Sequence, residues 1–130
     1  MYEILIVGGG PAGLTAAMYA ARAGKHVAVL ERGSTGGQII SAPLVENYPG
    51  IPSVSGTELA RQMTEQACTF GAEIVYTEAV GLEKTPAGFR VLCTDGVREA
   101  KTVILATGAA HRQLGLAAEE ALTGCGVSYC

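Results

Sequence analysis

Apolar positions along the chain follow two patterns, short continuous runs and a three-to-four-residue spacing, and stretches rich in Gly, Pro and Ser separate them. YEILIV (2–7) is apolar at nearly every position, which predicts a strand buried on both faces. After GGGPAG (8–13) comes the Ala-rich LTAAMYAARAG (14–24), helix-forming material stopped by Gly24. HVAVLE (26–31) is a second strand run. Strand, helix and strand within about 30 residues form a β-α-β unit, with parallel strands and a right-handed crossover. Residues 32–55 then lose all periodicity, and a loop of that length inside a compact domain is more often functional than filler.

Helical spacing returns in GTELARQMTEQACTFG (56–71), where Leu59, Met63, Ala67 and Phe70 form a stripe predicted to face the core, with Thr57 as the N-cap. AEIVYT (72–77) is a third strand. AVGLEK (79–84), FRVLCT (89–94) and VREAK (97–101) are divided by TPAG and DG, both turn chemistry, and predict an antiparallel meander. TVILATG (102–108) reads as one more buried strand. Beyond Arg112 the pattern is weak, and no internal repeat is visible.

Composition narrows the classes. A chain of 130 residues has the size of one domain, and 48% hydrophobic with 16% charged residues describes a globular one. The net charge of −3, with Lys and Arg scattered singly, lacks the clustered basic footprint of a nucleic-acid binder. No apolar run approaches the ~20 residues of a membrane span, and MYEILIV lacks the cationic start of a secretory signal, so a cytoplasmic protein is expected. The four cysteines, Cys68, Cys93, Cys125 and Cys130, include no C-x-x-C pair, and with two His no metal site is expected. Cys68 and Cys93 read as small core residues.

The chemistry begins at the first turn. Gly8, Gly10 and Gly13 give G-x-G-x-x-G between a strand and a helix. Gly8 permits the tight turn, Gly10 lets a pyrophosphate approach bare backbone, and Gly13 lets the helix pack close to the strand. N–H groups near Ala12 and Gly13, with the positive end of the helix dipole, hold phosphates without a basic side chain. Pro11 suits this turn because its missing N–H would be unpaired anyway. Glu31 ends the second strand about 20 residues on, where a carboxylate accepts hydrogen bonds from ribose hydroxyls and repels a 2′-phosphate. The expected ligand is a dinucleotide. The turn alone does not separate NAD(H) from FAD; the loop favours FAD, since Gly36 and Gly37 allow close approach to a flat ring while Gln38 and Asn47 offer it amide donors and acceptors.

The stretches IVGGGPAGLTAAMYAARAGKHVAVLE, GGQI, VENYPG, ILATGA and GVSYC, in this order and at these distances, resemble the low-molecular-weight thioredoxin reductases, flavoproteins of the pyridine nucleotide-disulfide oxidoreductase class. The resemblance covers essentially the whole chain. It implies an α/β fold: an incomplete Rossmann-like FAD/NAD(P)-binding domain in three β/β/α layers, a central parallel sheet with helices on one face and the three-stranded antiparallel meander on the other. Residues 1–112 would be the N-terminal part of the FAD domain, and 113–130 a linker and the start of an NADPH-binding domain. Gly8 to Gly13 would bind the FAD pyrophosphate, and Glu31 the adenosine ribose, with Arg32 counted among the cofactor contacts. Gly36, Gly37 and Gln38 would line the flavin, Asn47 would reach its ring, backbone near Val80 would meet the adenine, and Ala106, Thr107 and Gly108 would close over the cofactor.

Enzymes of that family pass electrons from NADPH through FAD to a C-x-x-C disulfide and on to thioredoxin. GVSYC is the run into that motif, so the resemblance makes Cys130 the first redox cysteine without its partner. A single sulfur cannot close a dithiol cycle, so this chain is expected to be at most an FAD-binding module, without turnover. Cys125 falls where the family usually carries a basic residue. Implied partners are a thioredoxin-like disulfide protein and a second copy or complementing chain, which the unpaired edge of an incomplete sheet would favour. The alternatives are a stand-alone or split-subunit NAD/FAD module and a ferredoxin–NADP reductase-like flavoprotein, against which GVSYC argues.

Overall fold

The computed structural model describes residues 1–129 and resolves them into six strands and three helices. Strand β1 (Tyr2–Val7) pairs in parallel with β2 (Val27–Glu31), which pairs in parallel with β3 (Glu73–Tyr76). Helix α1 (Pro11–Arg22) makes the crossover from β1 to β2, and α2 (Gly56–Thr69) precedes β3. Strands β4 (Ala79–Thr85), β5 (Gly88–Cys93) and β6 (Gly96–Leu105) run antiparallel as a meander. The sheet order is β3-β2-β1-β6-β5-β4.

Alternation within the apolar runs explains the layers. Ile6, Val27 and Val29 face α1 and α2 and pack with Ala17, Ala21 and Ala67. Leu5, Ala28 and Leu30 point the other way and pack with Val91, Cys93 and Ala100 of the meander. Both faces of β1 and β2 are therefore covered, as their continuous hydrophobicity requires. Each large side chain buried this way contributes about 1.5–3 kcal/mol relative to exposure. The β/β/α arrangement expected from the resemblance is the arrangement found.

One boundary differs. VREAK and TVILATG are a single ten-residue strand that ends at Leu105. Its first half pairs antiparallel with β5 and its second half parallel with β1; Ala100 lies opposite Phe89 on one side and Tyr2 on the other. No Gly, Pro, Asn or Asp interrupts residues 97–105, so nothing in the chain stops the strand where its partner changes.

Helix α2 carries three further corrections. Its N-cap is Ser55, whose hydroxyl accepts the Glu58 N–H at 3.2 Å, while the Thr57 hydroxyl donates to the Ile40 carbonyl. Cys68 is exposed, since the buried stripe runs through Leu59, Ala60 and Ala67, and Cys68 stands one helical step of 100° off it. Phe70 lies past the last turn and is 44% exposed, its ring 5.4 Å from the Arg22 guanidinium, rather than in the core. Met63 is partly buried and Cys93 is buried.

The loop at 32–55 is ordered by its own contacts. It turns through Gly36, forms a short 3-10 turn at Gly37–Ser41, and pairs Val45 with Val54. The Gly56 N–H donates to the Ala42 carbonyl at 2.9 Å, which ties the loop to the start of α2. After β6 the chain extends to a short helix α3 (Glu119–Leu122), where Glu119 accepts the N–H groups of Leu114, Gly115 and Leu116. No helix among the described residues is long and apolar enough to cross a membrane.

Candidate functional site

The carboxyl ends of β1, β2 and β6 open into a cleft of about 720 Å³ that the Gly-rich turn floors. Gly8 adopts φ +106°, and a Cβ there would stand 2.3 Å from the Ala106 carbonyl oxygen. Gly13 is tighter still: its Cβ would fall 1.9 Å from the Gly8 oxygen, so only glycine lets α1 begin this close to the strand end. Gly10 differs in kind. Its backbone is ordinary, φ −74°, and the nearest atom to a Cβ would be the Gly37 Cα at 4.0 Å. The space above Gly10 is cleft.

Helix α1 therefore presents its first turn to the cleft with no side chain at Gly10 in the way. Pro11 occupies the first helical position, Leu14 begins the intrahelical ladder on Gly10, and the amides of Ala12 and Gly13 precede that ladder. Anions are drawn to such an end by unpaired N–H groups and the helix dipole together. The first turn of α1 carries no acidic residue that would compete.

Glu31 sits at the adjoining strand end and is locked. One oxygen accepts the Gly9 N–H at 2.7 Å and the other the Gly33 N–H at 2.8 Å. An ionised carboxylate offers about four acceptor positions, so two remain for hydroxyls of a ligand. The loop is held to the same turn, the Gly36 N–H donating to the Gly9 carbonyl at 2.7 Å. The Gln38 side-chain amide donates to the Ala109 carbonyl, joining the loop to the segment after β6 across the cleft.

The structure brings together Gly8, Gly10, Pro11, Ala12, Glu31, Arg32, Gly37, Gln38, Ala106, Thr107 and Gly108 around this cleft. Gly13 and Gly36 lie buried behind its wall. Asn47 is exposed on the loop and Val80 is 64% exposed on β4, and neither lines it. Cys130 lies outside the described residues. Sequence reading missed Gly9, whose N–H anchors Glu31, and a second cavity of about 190 Å³ between β2 and the β3–β4 corner, lined by Thr77, Glu78 and Ala79. The signal for that corner was Thr77, a polar residue closing an apolar run; it is buried, and its hydroxyl donates to Asp95. Arg98 and Thr77 hold the Asp95 carboxyl below its ordinary range. Among the described residues no cluster of His, Cys, Asp or Glu is placed to hold a metal.

A glycine-floored helix start, a locked acidic residue at the second strand end and the cleft they share define a dinucleotide-binding domain of the Rossmann kind. The chain belongs to the pyridine nucleotide-disulphide oxidoreductase family, whose profile it matches over residues 2–130. Among curated proteins it is 43% identical to the thioredoxin reductase of Listeria monocytogenes over 130 residues, covering 100% of this chain and 41% of that protein. It is 45% identical to that of Treponema pallidum, covering 99% and 42%. Among solved structures, Lactococcus lactis thioredoxin reductase superposes with a TM-score of 0.89 at 41% identity, over 100% of this chain and 43% of that one. The Streptococcus pyogenes enzyme gives 0.87 at 48% identity, over 100% and 42%. The chain thus spans about two fifths of the length of the curated relatives it matches. It corresponds to the FAD-binding part of a thioredoxin reductase-like flavoprotein, and the two alternative readings are not favoured.

Proposed function

We propose that the cleft binds FAD, that Gly8–Gly13 and Glu31 do the binding, and that the parent protein is an NADPH-dependent thioredoxin-disulfide reductase. The observation that carries this is the pairing of a bare helix start at Gly10 with a Glu31 carboxylate fixed by two backbone amides. The residues fit such a ligand. The backbone of Ala12 and Gly13 would take the pyrophosphate, Glu31 would take the ribose hydroxyls, and Gly36, Gly37 and Gln38 would stand beside the ring. Asn47, and backbone near Val80, would complete the contacts. Bound there, FAD supplies a two-electron carrier between a nicotinamide and a disulfide.

The chain's own contribution is placement. Gly8 and Gly13 fix the helix end, and the Glu31 lock removes the reorganisation that a free carboxylate would undergo on binding. Thr107 and Gly108, following β6, would shield one side of the cleft from water. In the parent, Cys130 would be the first of the redox pair, residues 1–112 would belong to the FAD domain, and residues 113–130 would lead into the next. A thioredoxin-like acceptor, a reducing cytoplasmic setting and a second copy or complementing chain belong to the same reading. The test is direct: the purified chain is titrated with FAD and with NADH. Flavin absorbance that co-purifies, or a melting temperature raised by FAD and not by NADH, supports the proposal; stabilisation by NADH alone overturns it.

A further inference from the structure

The two cavities meet at the end of β2, and Arg32 is the single cation among the residues lining them. At this point of a dinucleotide fold a carboxylate selects a free ribose 2′-hydroxyl and an arginine accommodates a 2′-phosphate. Glu31 and Arg32 present both, side by side, so the pair is ambiguous by itself. Glu78 resolves it. It stands on the far wall of the smaller cavity, and its carboxylate oxygen lies 3.8 Å from an Arg32 guanidinium nitrogen.

Glu78 is held in place by the corner that carries it. The Thr77 N–H donates to the Glu31 carbonyl at 2.9 Å, and the Thr94 N–H donates to the Glu78 carbonyl at 3.0 Å. Thr77 in turn bonds Asp95, which Arg98 grips with both terminal nitrogens. We propose that Glu78 is a specificity-determining residue of the nucleotide site: by engaging Arg32 it withholds the one cation that the described lining residues offer a 2′-phosphate and keeps the cleft for an unphosphorylated adenosine ribose. With Glu31 and Glu78 opposed by Arg32 alone, the formal charge facing that ribose is negative. Replacing Glu78 by a neutral residue balances it and leaves the guanidinium free to turn. This rests on the nucleotide reading above and goes past it. A parent that handles both FAD and NADPH needs its flavin site to reject the second, and the 2′-phosphate is the mark that distinguishes them.

The test compares 5′-AMP with 2′,5′-ADP, probes that differ by the 2′-phosphate alone, titrated calorimetrically into the chain and its E78Q variant. Glu78 is half exposed, so the fold should survive the change and solvent screening should hold the effect to a several-fold one. The ratio of the 2′,5′-ADP to the 5′-AMP dissociation constant should fall about fivefold in E78Q. The fall should shrink with rising salt, and adding R32Q should reverse it. If 5′-AMP binds both proteins and the ratio stays put, Glu78 is no selector and the nucleotide site stands. If neither probe binds the unmodified chain, the site and the selector fall together.

Discussion

Gly10 and Gly13 lie three residues apart in the same turn, yet the geometry assigns them opposite consequences when a single methyl is added. At Gly13 the new Cβ would meet the Gly8 carbonyl oxygen at 1.9 Å, so α1 must retreat by roughly 1.5 Å to restore ordinary contact distance. Overpacking of this sort costs about 1–3 kcal/mol. For a chain of this size, each kcal/mol lowers the melting temperature by about 3–5 °C, so Gly13→Ala should melt roughly 3–15 °C lower. At Gly10 the methyl meets nothing closer than 4.0 Å, and the loss of a favourable N-cap residue costs at most about 1 kcal/mol. That same methyl, however, stands where a pyrophosphate must touch backbone. Losing one charge-assisted hydrogen bond of about 1.5–3 kcal/mol weakens flavin binding roughly ten- to a hundredfold. Thermal melts of both variants without ligand, followed by FAD titrations monitored through flavin fluorescence, separate the two effects. A Gly10→Ala protein that takes up FAD as well as the unmodified chain refutes the placement of the ligand on this turn, and a Gly13→Ala protein that melts with the unmodified chain refutes the steric account of the helix start.

Three other outcomes follow from the structure. Ser55→Ala removes the acceptor of the Glu58 N–H and should cost about 1 kcal/mol in chemical denaturation, whereas Thr57→Ala should cost clearly less. Hydrogen bonds from Arg61 and Gln62 pull the Glu58 pKa down to about 2. The folded form is thereby favoured above the ordinary carboxylate range, and that advantage drains away as pH falls from there towards 2; NMR titration should find the low midpoint, and Arg61→Met should return it upward. With a maleimide under native conditions, Cys68 and Cys125 should label quickly and Cys93 only on unfolding, because the first two are exposed and the third is buried; mass spectrometry of the digested chain reads the sites.

What is legible in the sequence depends on whether the signal is local. The G-x-G-x-x-G turn announced itself because each glycine answers a short-range steric demand, and the cleft is built on it. Glu31 was visible for the same reason, being a polar residue at the end of an apolar run. Its lock was not, since the Gly9 and Gly33 amides that create it are aligned only when strand and turn come together. Ser55 is legible in the sequence, since Ser-x-x-Glu spacing from Ser55 to Glu58 is the usual helix-start signature, and Thr57 competes with it only as a residue type. Cys68 misled because it shares an apolar neighbourhood with Ala67 without sharing its helix face. The sequence pattern changes between Lys101 and Thr102 and reads as a break, when it lies beside the point, Ala100, where the strand exchanges one pairing partner for another. Glu78 and the cavity it lines were invisible, because nothing local couples it to Arg32.

The position of β6 between β1 and β5 has a consequence for biosynthesis. The strand that completes the middle of the sheet is the last of the six to leave the ribosome. At ordinary elongation rates, the roughly hundred residues separating β1 from the end of β6 take roughly 5–20 s to synthesise. Throughout that interval one side of the first strand has no neighbour, and the nascent polypeptide offers an adhesive border to whatever chaperone or stray strand arrives before Leu105 emerges.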